Sequence, residues 1–273
     1  MTDLAGKTML VTGAGGGMGR EVALALALRG AFVIAHGRSA QRVQATLEAI
    51  AHAGGKAEAA AFDLASLQSI RDGAALVVSR HARLDALVNN AGFWSGPREV
   101  TVDGFEKTWA VNTLAPFALW QALLKPLRAA KGRVVNVASL EHKNGRIRWE
   151  DLQRERGFGA RPAYQQSKLA LVMLTNELAR REPGLVAMSL HPGVIATELF
   201  RNMPWIVGLV IGAFCPSPQK GARCIWRLAA EAEFAGTTGA YFHRFKKQLP
   251  HKDARDPASC ARLWAVVAKQ AGT

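Results

Sequence analysis

Short unbroken apolar runs alternate along the chain with longer stretches in which apolar positions recur every three or four residues. The runs at 7–12, 31–35, 56–62, 84–88, 132–139, 185–191 and 238–242 have strand length and are rich in Val, Ile, Leu and Ala. The helical period follows at 21–29, with Gly30 as its stop, and around Val43, Leu47 and Ile50, with Gly54 and Gly55 as the stop. It returns from Ser66 and at 101–127, 162–178, 219–231 and 256–269. Strands alternating with helices predict an α/β protein: one Rossmann-type doubly wound parallel sheet of about seven strands, with helices on both faces. No repeat, linker or low-complexity tract interrupts the pattern, so residues 1–273 are expected to form a single domain. Two stretches stand outside it. Residues 140–160 form a polar insert rich in Arg, Glu and Gly, and residues 194–218 are densely apolar beyond the sheet. The second suits a lid over a greasy substrate, a patch resting on a membrane surface, or ordinary helix packing.

Composition narrows the class. A chain of 273 residues, 49% hydrophobic and 21% charged, is ordinary for a globular α/β domain. Cys215, Cys224 and Cys260 form no CxxC pair, so neither a metal site nor a disulfide framework is expected. The N-terminus lacks a signal-peptide pattern, and the longest apolar stretch, 204–215, falls short of the roughly 18–20 residues of a membrane span. A cytoplasmic protein is the expectation. The net charge of +14 favours anionic partners, but the Lys and Arg are scattered and no nucleic-acid signature accompanies them. A solvated basic surface is therefore preferred to a nucleic-acid role.

The candidate chemistry gathers at the ends of the predicted strands. Gly13-Ala14-Gly15-Gly16-Gly17-Met18-Gly19 lies between a strand and a helix, where glycines let backbone approach a pyrophosphate and the helix N-terminus offers free N–H groups. The spacing departs from GxGxxG and fits Thr12-Gly13-x-x-x-Gly17-x-Gly19. The second strand ends in His36-Gly37-Arg38-Ser39, with an arginine where a fold preferring NAD carries an acid. Arg38 can clamp a phosphate, which predicts NADP(H) over NAD(H), with Arg20 and Ser39 as helpers. Asp63, ahead of Leu64, can accept from an adenine amino group or cap the following helix. Asn89-Asn90-Ala91-Gly92 can tie strands together or bond a ribose, and its small residues leave room for a flat ring. Asn112 is polar within an apolar helix, a conflict that marks a satisfied core group or a functional one. Ser139 ends a strand on the edge where open sheets bind ligands. Tyr164 and Lys168 are four apart on one helix face, so an ammonium beside the phenol is expected to lower its pKa and ready it for proton transfer.

Taken in order, these residues resemble the short-chain dehydrogenase/reductase family over nearly the whole chain. The branch most similar is retinol dehydrogenase-like and WW-domain oxidoreductase-like, on Val135-Asn136-Val137-Ala138-Ser139-Leu140-Glu141-His142, the long spacer to Tyr164, and the run from Leu190 to Leu199. Ala138 stands where a serine is common, and an N-terminal anchor like that of membrane-bound relatives is not expected. The resemblance implies Tyr164 as general acid and base, Lys168 lowering its pKa and bonding the nicotinamide ribose, Ser139 on the substrate oxygen, and Asn112 holding a relay water. It also implies a cofactor-contacting set of Thr12, Gly13, Gly15, Gly17, Met18, Gly19, Arg38, Asp63, Leu64, Asn90, Ala91, Gly92, Tyr164, Lys168, Pro192, Gly193, Val194 and Thr197. The expected activity is NADP(H)-dependent interconversion of a carbonyl and an alcohol on an apolar small molecule. The alternatives are a catalytically silent NADP(H) sensor and a peripheral membrane dehydrogenase of retinoid or lipid alcohols. A homo-oligomer is compatible with the family.

Overall fold

A computed structural model describes residues 3–94, 96–193 and 217–273. Eight strands form one sheet in the order β3-β2-β1-β4-β5-β6-β7-β8. They are β1 (Thr8–Val11), β2 (Phe32–Gly37), β3 (Lys56–Ala61), β4 (Ala86–Asn89), β5 (Arg133–Val137), β6 (Val186–His191), β7 (Ala240–His243) and β8 (Lys246–Gln248). The first seven pair in parallel, and β8 turns back antiparallel on β7. This eighth strand was absent from the sequence expectation. It is three residues of Lys-Lys-Gln on the sheet edge, with no apolar signal to read.

Parallel strands need crossovers, and the helices supply them on both faces. Side chains alternate across each strand. Leu10, Ile34, Leu87 and Val134 therefore enter one core, together with Phe117, Trp120, Leu174 and Trp264. Met9, Val11, Val33, Val88 and Val135 enter the other, against Val22, Leu26, Ile225 and Leu228. The first core lies under α3 (Leu67–Arg80), α5 (Ala115–Ala122), α7 (Ala160–Arg181) and α10 (Pro257–Ala271). The second lies under α1 (Gly17–Ala27), α2 (Ala40–His52) and α8 (Pro218–Ala230). Strands covered on both sides read as continuous apolar runs, which is why they were visible in the sequence.

The region at 101–127, expected to be mostly helical, is divided into several pieces. It comprises α4 (Lys107–Trp109), a π-helical turn at Ala110–Leu114, α5, and α6 (Leu124–Ala130). Pro116 sits in the first turn of α5 and has no N–H to give the carbonyl of Asn112 four residues earlier. The helix opens at that point, and π turns of this kind recur at functional sites. A short helix, α9 (Lys252–Arg255), precedes α10. No helix among the described residues is long and apolar enough to cross a membrane. The apolar stretch at 194–218 falls outside the described residues except for its last two positions.

Candidate active site

Strand order reverses at β1, which has β2 on one side and β4 on the other. Such a switch point opens a crevice at the carboxyl ends of the strands. Thr12, just past β1, is buried there and ties the crevice together. Its N–H donates to the Val88 carbonyl at 2.9 Å, and its Oγ1 accepts from the Ala91 N–H at 3.0 Å. Asn90 Nδ2 donates to the Thr12 carbonyl at 2.9 Å, while its buried Oδ1 has no hydrogen-bond partner.

The glycine turn is shaped by close contacts. A Cβ on Gly19 would lie 2.1 Å from the Gly13 carbonyl oxygen, and one on Gly15 would lie 2.4 Å from the Arg42 carbonyl oxygen. Gly17 has φ +52°, opens α1, and faces open space. The helix expected from Glu21 thus begins inside the turn, so the turn's last glycines are its first residues. Gly16 precedes it without a side-chain cap, and no acid occupies the first turn. Those free N–H groups fit a pyrophosphate, and the orphaned Asn90 Oδ1, an acceptor, fits a ribose hydroxyl. Met18 is half-buried beside them.

His36 anchors the turn. Its Nδ1 accepts from the Gly13 N–H at 3.3 Å, and its Nε2 lies 3.0 Å from the Phe62 carbonyl. Those partners require a neutral ring protonated at Nε2. Burial lowers its pKa to about 4, which keeps it so.

Arg38 is exposed at the end of β2, and Arg42, exposed one helical turn later, contacts Gly15 through its backbone. Asp63 is exposed, and its Oδ1 accepts from the Ala65 N–H at 2.9 Å. Of its two anticipated roles, the capping one belongs to Ser66, whose Oγ accepts from the Ser69 N–H at the start of α3. Leu64 is half-buried next to it. Ser39 occupies the N-cap of α2 but makes no capping bond.

The other half of the crevice is packed. Lys168 is buried, and its Nζ donates to the Val137 carbonyl at 2.8 Å. Burial lowers its pKa to about 8. Tyr164 lies one turn before it, with the ammonium 5.7 Å from the ring centre. Its phenol is pushed up to about 12 by burial, against the hydrogen bond from Ser139, with the Glu141 carboxylate adding to the rise. The expected depression by Lys168 is therefore not the state of this phenol. Burial is the largest influence on the phenol, and the ammonium is engaged by the Val137 carbonyl.

Ser139 follows β5 and caps a 3₁₀ turn at Leu140–Asn144, its Oγ accepting from the Glu141 N–H at 3.3 Å. Gly92 faces the site, and a Cβ there would stand 3.6 Å from Lys168 Nζ and 3.7 Å from Asn112 Oδ1. Asn112 is fully buried in the π turn. Its Oδ1 accepts from the Phe93 N–H at 2.8 Å, and its Nδ2 donates to the Phe93 carbonyl and to Ser167 Oγ. Its side chain pins the loop after Gly92 to α7. His191, Pro192 and Gly193 are buried at the end of β6, with Gly193 at φ +107° against Arg244. Val194 and Thr197 lie outside the described residues.

Trp94 was missed by the sequence reading. Its ring centre stands 4.9 Å from that of Tyr164, tilted by 50°. A half-buried tryptophan two residues past a glycine turn carries no pattern that distinguishes it from a surface aromatic.

A crevice at the switch point and a buried group of Ser139, Tyr164 and Lys168 lie on the same edge of the sheet. Residues 7–204 match the short chain dehydrogenase family. Retinol dehydrogenase 13 of Homo sapiens is 38% identical over 98% of this chain and 85% of its own length. A solved protein from Mycobacterium paratuberculosis, 32% identical, superposes with a TM-score of 0.83 over 100% of this chain and 96% of its own. The Pseudomonas aeruginosa RhlG/NADP active-site complex, 29% identical, superposes with a TM-score of 0.72 over 88% of this chain and 95% of its own. The chain belongs to the short-chain dehydrogenase family, on its retinol dehydrogenase-like branch.

Proposed function

We propose that the chain is an NADP(H)-dependent oxidoreductase that interconverts a carbonyl and an alcohol on an apolar substrate. The observation that carries this reading is the buried Tyr164 phenol, hydrogen-bonded by Ser139, with Lys168 one turn away. A phenol titrating near 12 is protonated at neutral pH, so it is loaded as the acid for carbonyl reduction. Ser139 donates to the substrate oxygen where negative charge develops, and Tyr164 gives that oxygen its proton. In the oxidative direction Tyr164 takes the proton back. Lys168 holds positive charge beside the phenol and opposes the burial that keeps it neutral. The Asn112 carbonyl, denied its ordinary helical donor by Pro116, accepts from a relay water. Bound NADPH would supply the hydride.

Thr12, Gly13, Gly15, Gly17, Met18 and Gly19 would hold the pyrophosphate side, with Asn90 and Gly92 on the ribose and nicotinamide side. Arg38 would pair with a 2′-phosphate and Asp63 with the adenine amino group. The NADP in the RhlG complex supports the choice of cofactor, and the retinol dehydrogenase relatives support an apolar substrate. Residues 1–273 are read as one domain.

The test is oxidation of NADPH and of NADH by purified protein against apolar and small polar ketones and aldehydes. NADPH-dependent turnover favouring the apolar members is the expected result. Equal activity on both classes removes the apolar-substrate reading. Tight NADPH binding without turnover on any member favours a nucleotide sensor.

A further inference from the structure

The polar insert between Ser139 and α7 holds a second concavity that the redox reading does not use. It is an open cavity of about 690 Å³. Four arginines line it, Arg146, Arg148, Arg154 and Arg156, against two carboxylates, Glu150 and Asp151. Two positive charges are left over.

The carboxylates nearest to Arg154 are already committed. Asp151 accepts from the N–H groups of Glu155 at 2.8 Å and Arg156 at 3.2 Å, and pairs with Arg148 at 3.4 Å. Glu106, also close in charge to Arg154, accepts from the N–H groups of Thr108 and Trp109. Arg154 itself is 7% exposed, yet its side chain donates no hydrogen bond among the described residues, and its buried Nε has no acceptor. A buried guanidinium N–H without an acceptor is costly. Its backbone is also held at φ +47°, a left-handed conformation that non-glycine residues adopt rarely. The turn closed on Asp151 accounts for the backbone, but nothing in it pairs the buried Nε. An oxyanion in the cavity would satisfy the donors.

The cavity is separate from the catalytic centre. Gln166 fixes the insert to α7, accepting from the Arg148 N–H at 3.1 Å and donating to the Leu152 carbonyl at 2.9 Å. Two residues from Tyr164, it projects about 200° around the helix from the phenol.

We propose that this cavity is an anion-binding site for a phosphomonoester group, with Arg154 as its buried clamp and Arg146 at its mouth. Guanidinium forks match phosphate oxygens, and the surplus of two charges matches a group carrying about −1.5 to −2 at neutral pH. The phosphate can belong to a soluble metabolite or to the headgroup of a phosphatidic-acid-like lipid. Arg146 is exposed and makes no hydrogen bond among the described residues, so removing it leaves the loop intact.

The experiment is calorimetric titration of the full chain with inorganic phosphate at fixed ionic strength. Phosphate bound in the nucleotide crevice is insensitive to Arg146 and Arg154, so only the component of the isotherm that these variants change is read, and the result stands whether or not the redox reading does. The expected result is one phosphate per chain, weakened about tenfold or more by Arg154→Gln and measurably by Arg146→Gln. Co-sedimentation with phosphatidylcholine vesicles, with and without phosphatidic acid, then assigns the source. Retention that needs phosphatidic acid and is lost in Arg146→Gln identifies a lipid, and its absence identifies a soluble phosphomonoester. Absence of phosphate binding, or an affinity unchanged in Arg146→Gln, overturns the proposal.

Discussion

The two halves of the crevice are built on different principles. On the β1–β2 side the recognition surface is backbone: glycine contacts, free N–H groups at α1, and exposed side chains such as Arg38 and Asp63 that serve no structural bond beyond a local turn. On the β4–β6 side it is side chain: Asn112, Ser139, Tyr164 and Lys168 are all buried and bonded to the scaffold. Exposed groups can change without disturbing the fold, so that side can tune cofactor choice. Buried groups cannot, so in the proposed reaction the other side would fix the chemistry.

The comparison predicts a graded set of effects. Ser139→Ala should lower kcat by about 10²–10³-fold, because it removes a donor to the developing oxyanion, while cofactor affinity stays near the wild-type value. Equal losses in both would show that Ser139 is mainly a structural cap. Gly19→Ala forces a methyl against the Gly13 carbonyl and Asn90, atoms that cannot retreat cheaply. A stability loss of roughly 3 kcal/mol in urea titration is expected. Gly17→Ala should cost less, about 1–2 kcal/mol, since the space there is open but a Cβ is strained at φ +52°. Arg38→Ala should weaken NADPH binding about tenfold or more and leave NADH unchanged, read by calorimetry.

The smallest effect concerns acid. His36, His142 and His191 are each lowered from 6.5 to about 4, chiefly by burial. Their stabilising contribution is present above about pH 6.5 and is lost as pH falls through 4, because the unfolded chain takes up protons first. The urea midpoint should drop across that window, and His36→Gln should drop less. An identical drop would mean that other groups govern acid sensitivity.

Much of this was legible in the sequence because burial writes itself as pattern. The seven parallel strands are apolar runs, and the glycine turn, Asn112, Ser139, Tyr164 and Lys168 stand out as polar or small residues where the pattern favours neither. What was hidden depends on contacts between distant residues. The edge strand β8 has no apolar content. The π turn follows from Pro116 meeting an otherwise ordinary helix, and Ser66 took the cap that Asp63 was equally suited to fill. The raised Tyr164 phenol depends on how deeply α7 is buried, and Arg154 looks like any other arginine until its neighbours are seen to be committed elsewhere.

The most direct test of the account is single-turnover reduction of an apolar ketone by Tyr164→Phe, with NADPH binding measured alongside. The account predicts that NADPH affinity stays within a few-fold of wild type while the reduction rate falls by about 10²–10⁴. A mutant that binds NADPH and reduces the ketone at the wild-type rate would contradict it, since the proton would then come from another group.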